Sequence, residues 1–334
     1  LSNKKFILGN EVKMLEKTLS EYIKSKCIAV SSGTDAILLA LMAIQVKPGD
    51  EIITTPFTWA SNVEMIKILG AKPIYVDIDT RNFNLDANLI KKKITKKTKA
   101  ILTVNIFGQC CDYDKIRKSI KNKKIYIIED AAQSFGAKYK NKKSCSLGDI
   151  SCTSFFPSKP LGCYGDGGAC FTNDEKIYNK LKLIRNHGQI SKNNHLLLGL
   201  NARMDEIQAC ILNSKIKLFK NEIKLRNNVA AIYEKLLCNK KDILYLPKVE
   251  KFNYSVYAQY TIVVKNRKKI IKNFNRKNIP FSIFYPKPLY KQIAFREKKY
   301  KLKNVENIVD KVISLPFHPY LSLKHQKIIS NCFN

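Results

Sequence analysis

Ile125-Tyr126-Ile127-Ile128-Glu129-Asp130 is an apolar run that ends on two acids. It is short and continuous, so it reads as a strand buried on both faces. The same texture recurs upstream at 27–30, 51–54, 74–76 and 100–104, with helical patterns at about 35–44, 60–69, 89–94 and 113–120 between the runs. Lys47-Pro48-Gly49-Asp50 and Gly70-Ala71-Lys72-Pro73 punctuate them as turns. From 27 to about 172 this alternation predicts an α/β fold, a mostly parallel sheet covered by helices on both faces. Helices at about 174–186 and 205–237 follow, and then the texture changes. A strand at 257–264, a helix at 268–277 and loop then helix from Lys287 suggest a smaller α+β unit. The expected division is a large domain over 1–238 and a small C-terminal domain over 239–334.

The composition suits that size. The chain has 334 residues, 45% of them hydrophobic, which leaves room for two domains of about 150 residues and a large core. No apolar run approaches the roughly 20 residues of a bilayer span, and no secretory h-region opens the chain. Insertion into a membrane is not expected. The first residue is Leu1, which reads as a shortened N-terminus. The formal net charge is +33, from 60 Lys+Arg against 27 Asp+Glu. Most of that positive charge is scattered lysine, with short runs at 91–93 and 96–97. Nucleic-acid readers favour arginine for planar, bidentate contacts, so the charge reads as solvated surface and no nucleic-acid partner is expected. The ten cysteines include the adjacent pair Cys110-Cys111 and form no Cys-x-x-Cys. The four histidines have no ligand spacing. Reduced thiols in a cytoplasmic protein, without zinc, are the expectation.

Three segments carry candidate chemistry. Ser31-Ser32-Gly33-Thr34-Asp35 joins a strand to a helix. Free N–H groups there can bind an anion and Gly33 lets a phosphate approach, although taken alone the segment reads first as an ordinary helix cap by Ser32 or Thr34, since such caps are common. Asp130 stands at the carboxyl end of a buried strand, where open α/β sheets bind ligands, with Gln133 three residues on. The third is Ser154-Phe155-Phe156-Pro157-Ser158-Lys159-Pro160-Leu161-Gly162, followed by Gly165-Asp166-Gly167-Gly168. Ser154 and Ser158 offer hydroxyls to a phosphate, and the prolines restrict the approach of Lys159. A lysine able to form a Schiff base and an aspartate able to hold a pyridinium nitrogen are what a pyridoxal phosphate enzyme needs. Trp59, the only tryptophan, either stacks on a cofactor ring or anchors the core.

These blocks together resemble the fold-type I aminotransferases of the DegT/DnrJ/EryC1/StrS family. The likeness covers nearly the whole chain, through Phe6 to Val12, Ser32 to Ala36, Phe57 to Trp59, Gly70 to Pro73, Ile128 to Gly136, Thr153 to Gly162, Gly165 to Gly168 and Leu315 to Pro319. It implies pyridoxal 5'-phosphate as cofactor, L-glutamate as amino donor, a keto sugar nucleotide as acceptor and a homodimer with shared active sites. By resemblance Lys159 is the lysine that holds the cofactor, Asp130 the partner of the ring nitrogen and Gln133 the group at the phenolic oxygen. Gly33, Thr34 and Ser154 match the phosphate cradle, Trp59 the stacking aromatic and Asn201 a phosphate ligand given by the partner subunit. Arg203 matches a residue that meets the substrate carboxylate, and Tyr285 a tyrosine on the substrate side.

Asn105 to Cys110, Ser144-Cys145, Cys152 to Cys163 and Val256 to Tyr260 are most similar to members acting on a UDP-linked 2-acetamido-3-keto uronic acid. Those members aminate C3 on a route to lipopolysaccharide O-antigen. Phe284 departs from that pattern, standing where a histidine is usual. Members also carry more residues before Phe6. Two alternatives stay open. One is another keto nucleotide sugar, such as a 4-keto-6-deoxy sugar. The other is a regulator that binds DNA on the same fold without catalysis. A third, a sugar dehydratase, is disfavoured because such relatives replace the lysine by histidine.

Overall fold

In the computed structural model, residues 6–121 and 123–334 are described. Leu1 falls outside that range. Two sheets organise the chain, and their strands are numbered together. The larger has seven: β1 (Lys26–Val30), β2 (Glu51–Thr54), β3 (Lys72–Tyr75), β4 (Thr98–Val104), β5 (Tyr126–Asp130), β6 (Ile150–Ser154) and β7 (Gly168–Thr172). Their order is β1-β7-β6-β5-β4-β2-β3. The pairs from β3 to β6 are parallel, whereas β6–β7 and β7–β1 are antiparallel. The predicted mostly parallel sheet is therefore present, with a reversed edge.

The seven strands separate two apolar layers. In β5 Ile127 packs into one and Ile128 into the other, as the two-residue period of a strand requires. Helix α1 (Asn10–Ile23) covers the first face through Val12, Leu15, Leu19 and Ile23. Helix α2 (Gly33–Ala43) lies on the second, through Leu39, Ala40 and Ala43. Helices α3 (Ser61–Ile68), α4 (Tyr113–Ser119) and α5 (Glu175–Ile184) follow, each close to its predicted range. The region 89–94 differs, forming two short 3-10 turns, Ala87–Leu89 and Lys91–Lys93, rather than an α-helix. Its run Lys91-Lys92-Lys93 supplies no apolar side chain to anchor a longer helix.

Helix α6 (Glu206–Leu237) runs 32 residues. Its first half packs Leu212 and Phe219 onto the large sheet, and its second half packs Val229, Tyr233 and Leu237 onto the other sheet. That sheet is β8 (Ile243–Tyr245), β9 (Tyr260–Val264) and β10 (Val312–Leu315), antiparallel in the order β8-β9-β10. Helices α7 (Arg267–Arg276), α8 (Lys303–Ile308) and α9 (Leu323–Ser330) complete this part. A further cluster joins Phe57, Phe83 and Phe107 to Val263, Leu289 and Val305, so the C-terminal residues close over the end of β2.

Candidate active site

Strand direction fixes where the site lies. The parallel strands end together at Thr54, Val104, Asp130 and Ser154. Because β7 and β1 reverse in turn, Gly168 pairs with both Ser154 and Val30, which brings the end of β1 to the same edge. Ser31-Ser32-Gly33 follows immediately, so the start of α2 is delivered beside β6.

The approach there is close. A Cβ on Gly33 would stand 2.6 Å from that of Ser154, and one on Gly168 would stand 2.5 Å from the Ser32 carbonyl carbon. Only glycine lets these backbones meet. Ser32 caps the helix, its Oγ accepting from the Asp35 N–H at 3.0 Å. The capping explanation thus holds for Ser32, and it leaves the Thr34 hydroxyl and the N–H groups of Gly33 and Thr34 at the helix start next to Ser154, those of Asp35 and Ala36 being spent on Ser32. Ser154 is half-buried, with its Oγ accepting from the Phe156 N–H at 3.2 Å. Ser158 is exposed.

Asp130 is buried, and each oxygen takes one donor. Oδ1 accepts from the Ala132 N–H at 2.9 Å, and Oδ2 from Asn62 Nδ2 at 2.9 Å. Burial pushes the Asp130 carboxyl above its usual range, against those two hydrogen bonds and the nearby charge of Lys159. Burial lowers the Lys159 ammonium, and the charge of Asp130 opposes that shift. The two groups therefore sense each other across the end of the sheet. The neighbouring acid has a different task. Glu129 is fully buried, and its carboxylate accepts from Asn105 Nδ2, Ser144 Oγ, Ser151 Oγ and the N–H groups of Cys145 and Leu147. It ties β5 to β6 and to the loop before it.

Gln133 is also buried, with Oε1 accepting from the Phe107 N–H at 2.7 Å and Nε2 donating to the Tyr285 hydroxyl at 3.2 Å. Tyr285 meets the Phe57 ring edge to face, and burial next to Asp130 pushes its phenol well up, so it stays protonated. Lys159, Asp130, Gln133, Tyr285, Gly33, Thr34 and Ser154 are thus gathered at one end of the sheet. Trp59 is 62% exposed, which rules out the core anchor and leaves its ring on the surface. Asn201 and Arg203 lie on the segment that pairs with Asn186 and Val30. Asn201 is exposed, and Arg203 donates to Asn186 Oδ1 at 3.0 Å. No described hydrogen bond links either to Lys159 or Asp130.

Two participants escape a linear reading. Thr58 and Asn62 stand four apart around the start of α3, and Asn62 Nδ2 donates to Thr58 Oγ1 at 3.1 Å as well as to Asp130. A polar pair at that spacing just after a buried strand was the available signal.

A half-buried, desolvated lysine and a buried acid at the carboxyl edge of such a sheet, beside a glycine-cradled helix start, define a fold-type I aminotransferase. The chain belongs to the DegT/DnrJ/EryC1/StrS aminotransferase family, whose model matches residues 1–334. It is 47% identical to the UDP-2-acetamido-2-deoxy-3-oxo-D-glucuronate aminotransferase of Pseudomonas aeruginosa over 98% of this chain and 91% of that protein. It is 39% identical to the pleiotropic regulatory protein of Geobacillus stearothermophilus, over 98% of this chain and 90% of that one. Among solved structures, ntda from Bacillus subtilis, with bound cofactor PMP, superposes with a TM-score of 0.92 at 30% identity, covering 99% of this chain and 78% of that one.

Proposed function

We propose that this protein is a pyridoxal phosphate enzyme that moves the amino group of L-glutamate to the C3 keto group of a UDP-linked 2-acetamido-3-keto uronic acid, in lipopolysaccharide O-antigen biosynthesis. The observation that carries it is the pairing of a desolvated Lys159 with a buried Asp130 beside the α2 start. The 47% identical relative supports the acceptor, and the PMP-bound structure supports the cofactor.

The residues fit that cofactor. The close approach of Gly33 to Ser154, which a Cβ would block, sets the start of α2 beside the Ser154 hydroxyl, so N–H groups and hydroxyls suited to a phosphate lie together. Gly33, Thr34 and Ser154 would hold the phosphate, with Asn201 of a second copy of this chain. Asp130 would hold the ring nitrogen, Gln133 the phenolic oxygen, Trp59 the ring face and Lys159 the aldehyde carbon. When bound, pyridoxal phosphate supplies a carbonyl that takes up the amine and a ring that accepts electrons from the carbon losing its proton.

Lys159 takes the proton from the glutamate α-carbon and, in the return half, delivers one to C3 of the sugar. Its burial loosens the ammonium proton for that task. Asp130 keeps a negative charge where a cationic ring nitrogen needs one. The Arg203 fork receives a substrate carboxylate, and Tyr285 offers its hydroxyl on the substrate side. A homodimer is part of the reading. Exposed Phe156, Tyr164, Ile190, Leu198 and Ile207 lie on the segments around Lys159 and Asn201 and suit burial by a partner. We further propose that 1–238 and 239–334 act as large and small domains, with α6, wholly in the first, packing its second half against the second. All ten cysteines are free, which suits the cytoplasm, and no described helix is long and apolar enough to cross a membrane.

The experiment offers glutamate with a panel of UDP-linked 3-keto and 4-keto sugars and identifies the aminated product. Amination at C3 of the 2-acetamido uronic acid is expected; exclusive use of a 4-keto-6-deoxy sugar would redirect the assignment. Borohydride reduction followed by peptide mapping should label Lys159, and Lys159→Arg should abolish turnover. A label at another residue would overturn the Lys159 assignment, whereas sequence-selective DNA binding without a glutamate-bleached absorption band would favour the regulatory alternative.

A further inference from the structure

Asn62 is fully buried near the amino end of α3, yet it serves a group 68 positions away in sequence. Its Nδ2 spends both protons, one on Asp130 Oδ2 at 2.9 Å and one on Thr58 Oγ1 at 3.1 Å. Its Oδ1 has no hydrogen-bond partner among the described residues. Reversing the amide would satisfy nothing, since it would set an oxygen against a carboxylate. A buried amide that leaves its own acceptor unpaired is a stability cost, and such costs concentrate where geometry is used.

We infer that Asn62 is a positioning residue for Asp130, fixing the plane of its carboxylate and holding it ionised, with Thr58 fixing the roll of the amide. Three features support this. The only other hydrogen bond to the carboxylate is the Ala132 N–H on Oδ1, so without Asn62 the oxygen Oδ2 has no donor among the described residues. A carboxylate held at one oxygen can swing about its χ2, which is a soft torsion. Burial already favours the protonated acid, and each donor to the anion opposes that. Loss of Asn62 therefore favours a neutral Asp130, which cannot keep a proton on a ring nitrogen. Thr58 directly precedes the exposed Trp59 and Asn62 follows it by three residues, so one short segment supplies both the support of the carboxylate and an aromatic surface. The inference rests on the proposed reading of Asp130 as the partner of the cofactor ring.

The test uses the full chain loaded with pyridoxal phosphate carrying 15N at the ring nitrogen. In wild type the nitrogen is expected to resonate as protonated, and borohydride to label Lys159. In Asn62→Leu the pH at which the nitrogen loses its proton should fall by about one unit. The cofactor dissociation constant should rise about tenfold. Thr58→Val, which leaves Asn62 in place and is nearly isosteric, should raise it about threefold, and serves where Asn62→Leu does not fold. In an Asp130→Asn background Asn62→Leu should change the constant by less than about twofold. Equal losses in both backgrounds would show a packing role and overturn the inference. An unchanged nitrogen signal in Asn62→Leu, with wild type behaving as expected, would overturn it alone. A wild type with neither the protonated nitrogen nor the label would overturn the proposed function as well.

Discussion

Lys159 and Asp130 are shifted in opposite directions by the same cause. Desolvation disfavours either charge, so the ammonium loses its proton more easily and the carboxyl keeps its proton longer. Each partly restores the other, since Asp130 raises Lys159 and Lys159 lowers Asp130. In the cofactor-free chain, native Lys159 binds fewer protons than the unfolded lysine between its lowered pKa and the usual 10.5. By linkage, that group favours folding more as pH rises through this window, the reverse of an ion-paired lysine. The same shift makes its amine nucleophilic at a pH where surface lysines are still charged. We expect a small aldehyde with borohydride to modify Lys159 at lower pH than the exposed lysines, as read by peptide mapping across a pH series. Asp130→Asn removes the opposing charge, so the labelling midpoint should move further down. A midpoint that rises in Asp130→Asn would mean that the acid does not act on the lysine.

Sequence alone reveals these two groups because each sits in a distinctive local context, an acid at the tip of an apolar strand and a lysine between prolines before glycines. Elements are legible to a different degree. Strands β4 and β5 carry the apolar runs Ala100-Ile101-Leu102 and Tyr126-Ile127-Ile128, which are readable, whereas β6 reads Ile150-Ser151-Cys152-Thr153-Ser154. Its hydroxyls look like loop material, yet Ser151 donates to Glu129 and Thr153 to the Ala131 carbonyl, partners that exist only after folding. Helix α1 is harder to read, because its buried stripe is only Val12, Leu15, Leu19 and Ile23 among polar and charged residues. Strand β10 is hidden within the loop and helix expected from Lys287 because Val312–Leu315 is four residues long. The junction of α2 with β6 yields its own prediction. Gly33→Ala places a Cβ 2.6 Å from Ser154 Cβ and 3.2 Å from its Cα, so one of the two backbones must move. Helix propensity favours alanine, by less at this first position of α2 than the roughly 1 kcal/mol of a helix interior, which offsets part of the cost to the fold. The burden should therefore fall on the phosphate cradle. We expect the cofactor dissociation constant to rise about tenfold or more while the melting temperature of the cofactor-free chain changes little. Unchanged affinity would remove Gly33 and Ser154 from the cradle.

At the scale of the whole molecule, the candidate site draws on residues from Gly33 to Tyr285, which is why no single window of sequence displays it. Charge is the other property that belongs to the entire chain. The net +33 is self-repulsive, and its lysines are mostly solvated rather than paired. All but one of the described ion pairs leave at least one partner exposed, as Arg81 with Asp79 does, or both, as Lys140 with Asp114 does, and pairs of that kind contribute little. Arg185 with Glu16 is different, being largely buried between α5 and α1 and only weakly open to screening. Added salt should therefore relieve more repulsion than attraction. Raising KCl from about 20 to about 300 mM shortens the screening length severalfold. We expect the melting temperature to rise by about 3 °C or more over that range. KCl is the appropriate salt because strongly excluded anions would stabilise any fold by strengthening apolar burial. The same screening should slow capture of a doubly phosphorylated sugar nucleotide, since a cationic surface accelerates encounter with an anion. A melting temperature that fell with KCl would mean that surface pairs outweigh the excess positive charge. An association rate indifferent to KCl would mean that the lysines surround the site without steering substrate into it.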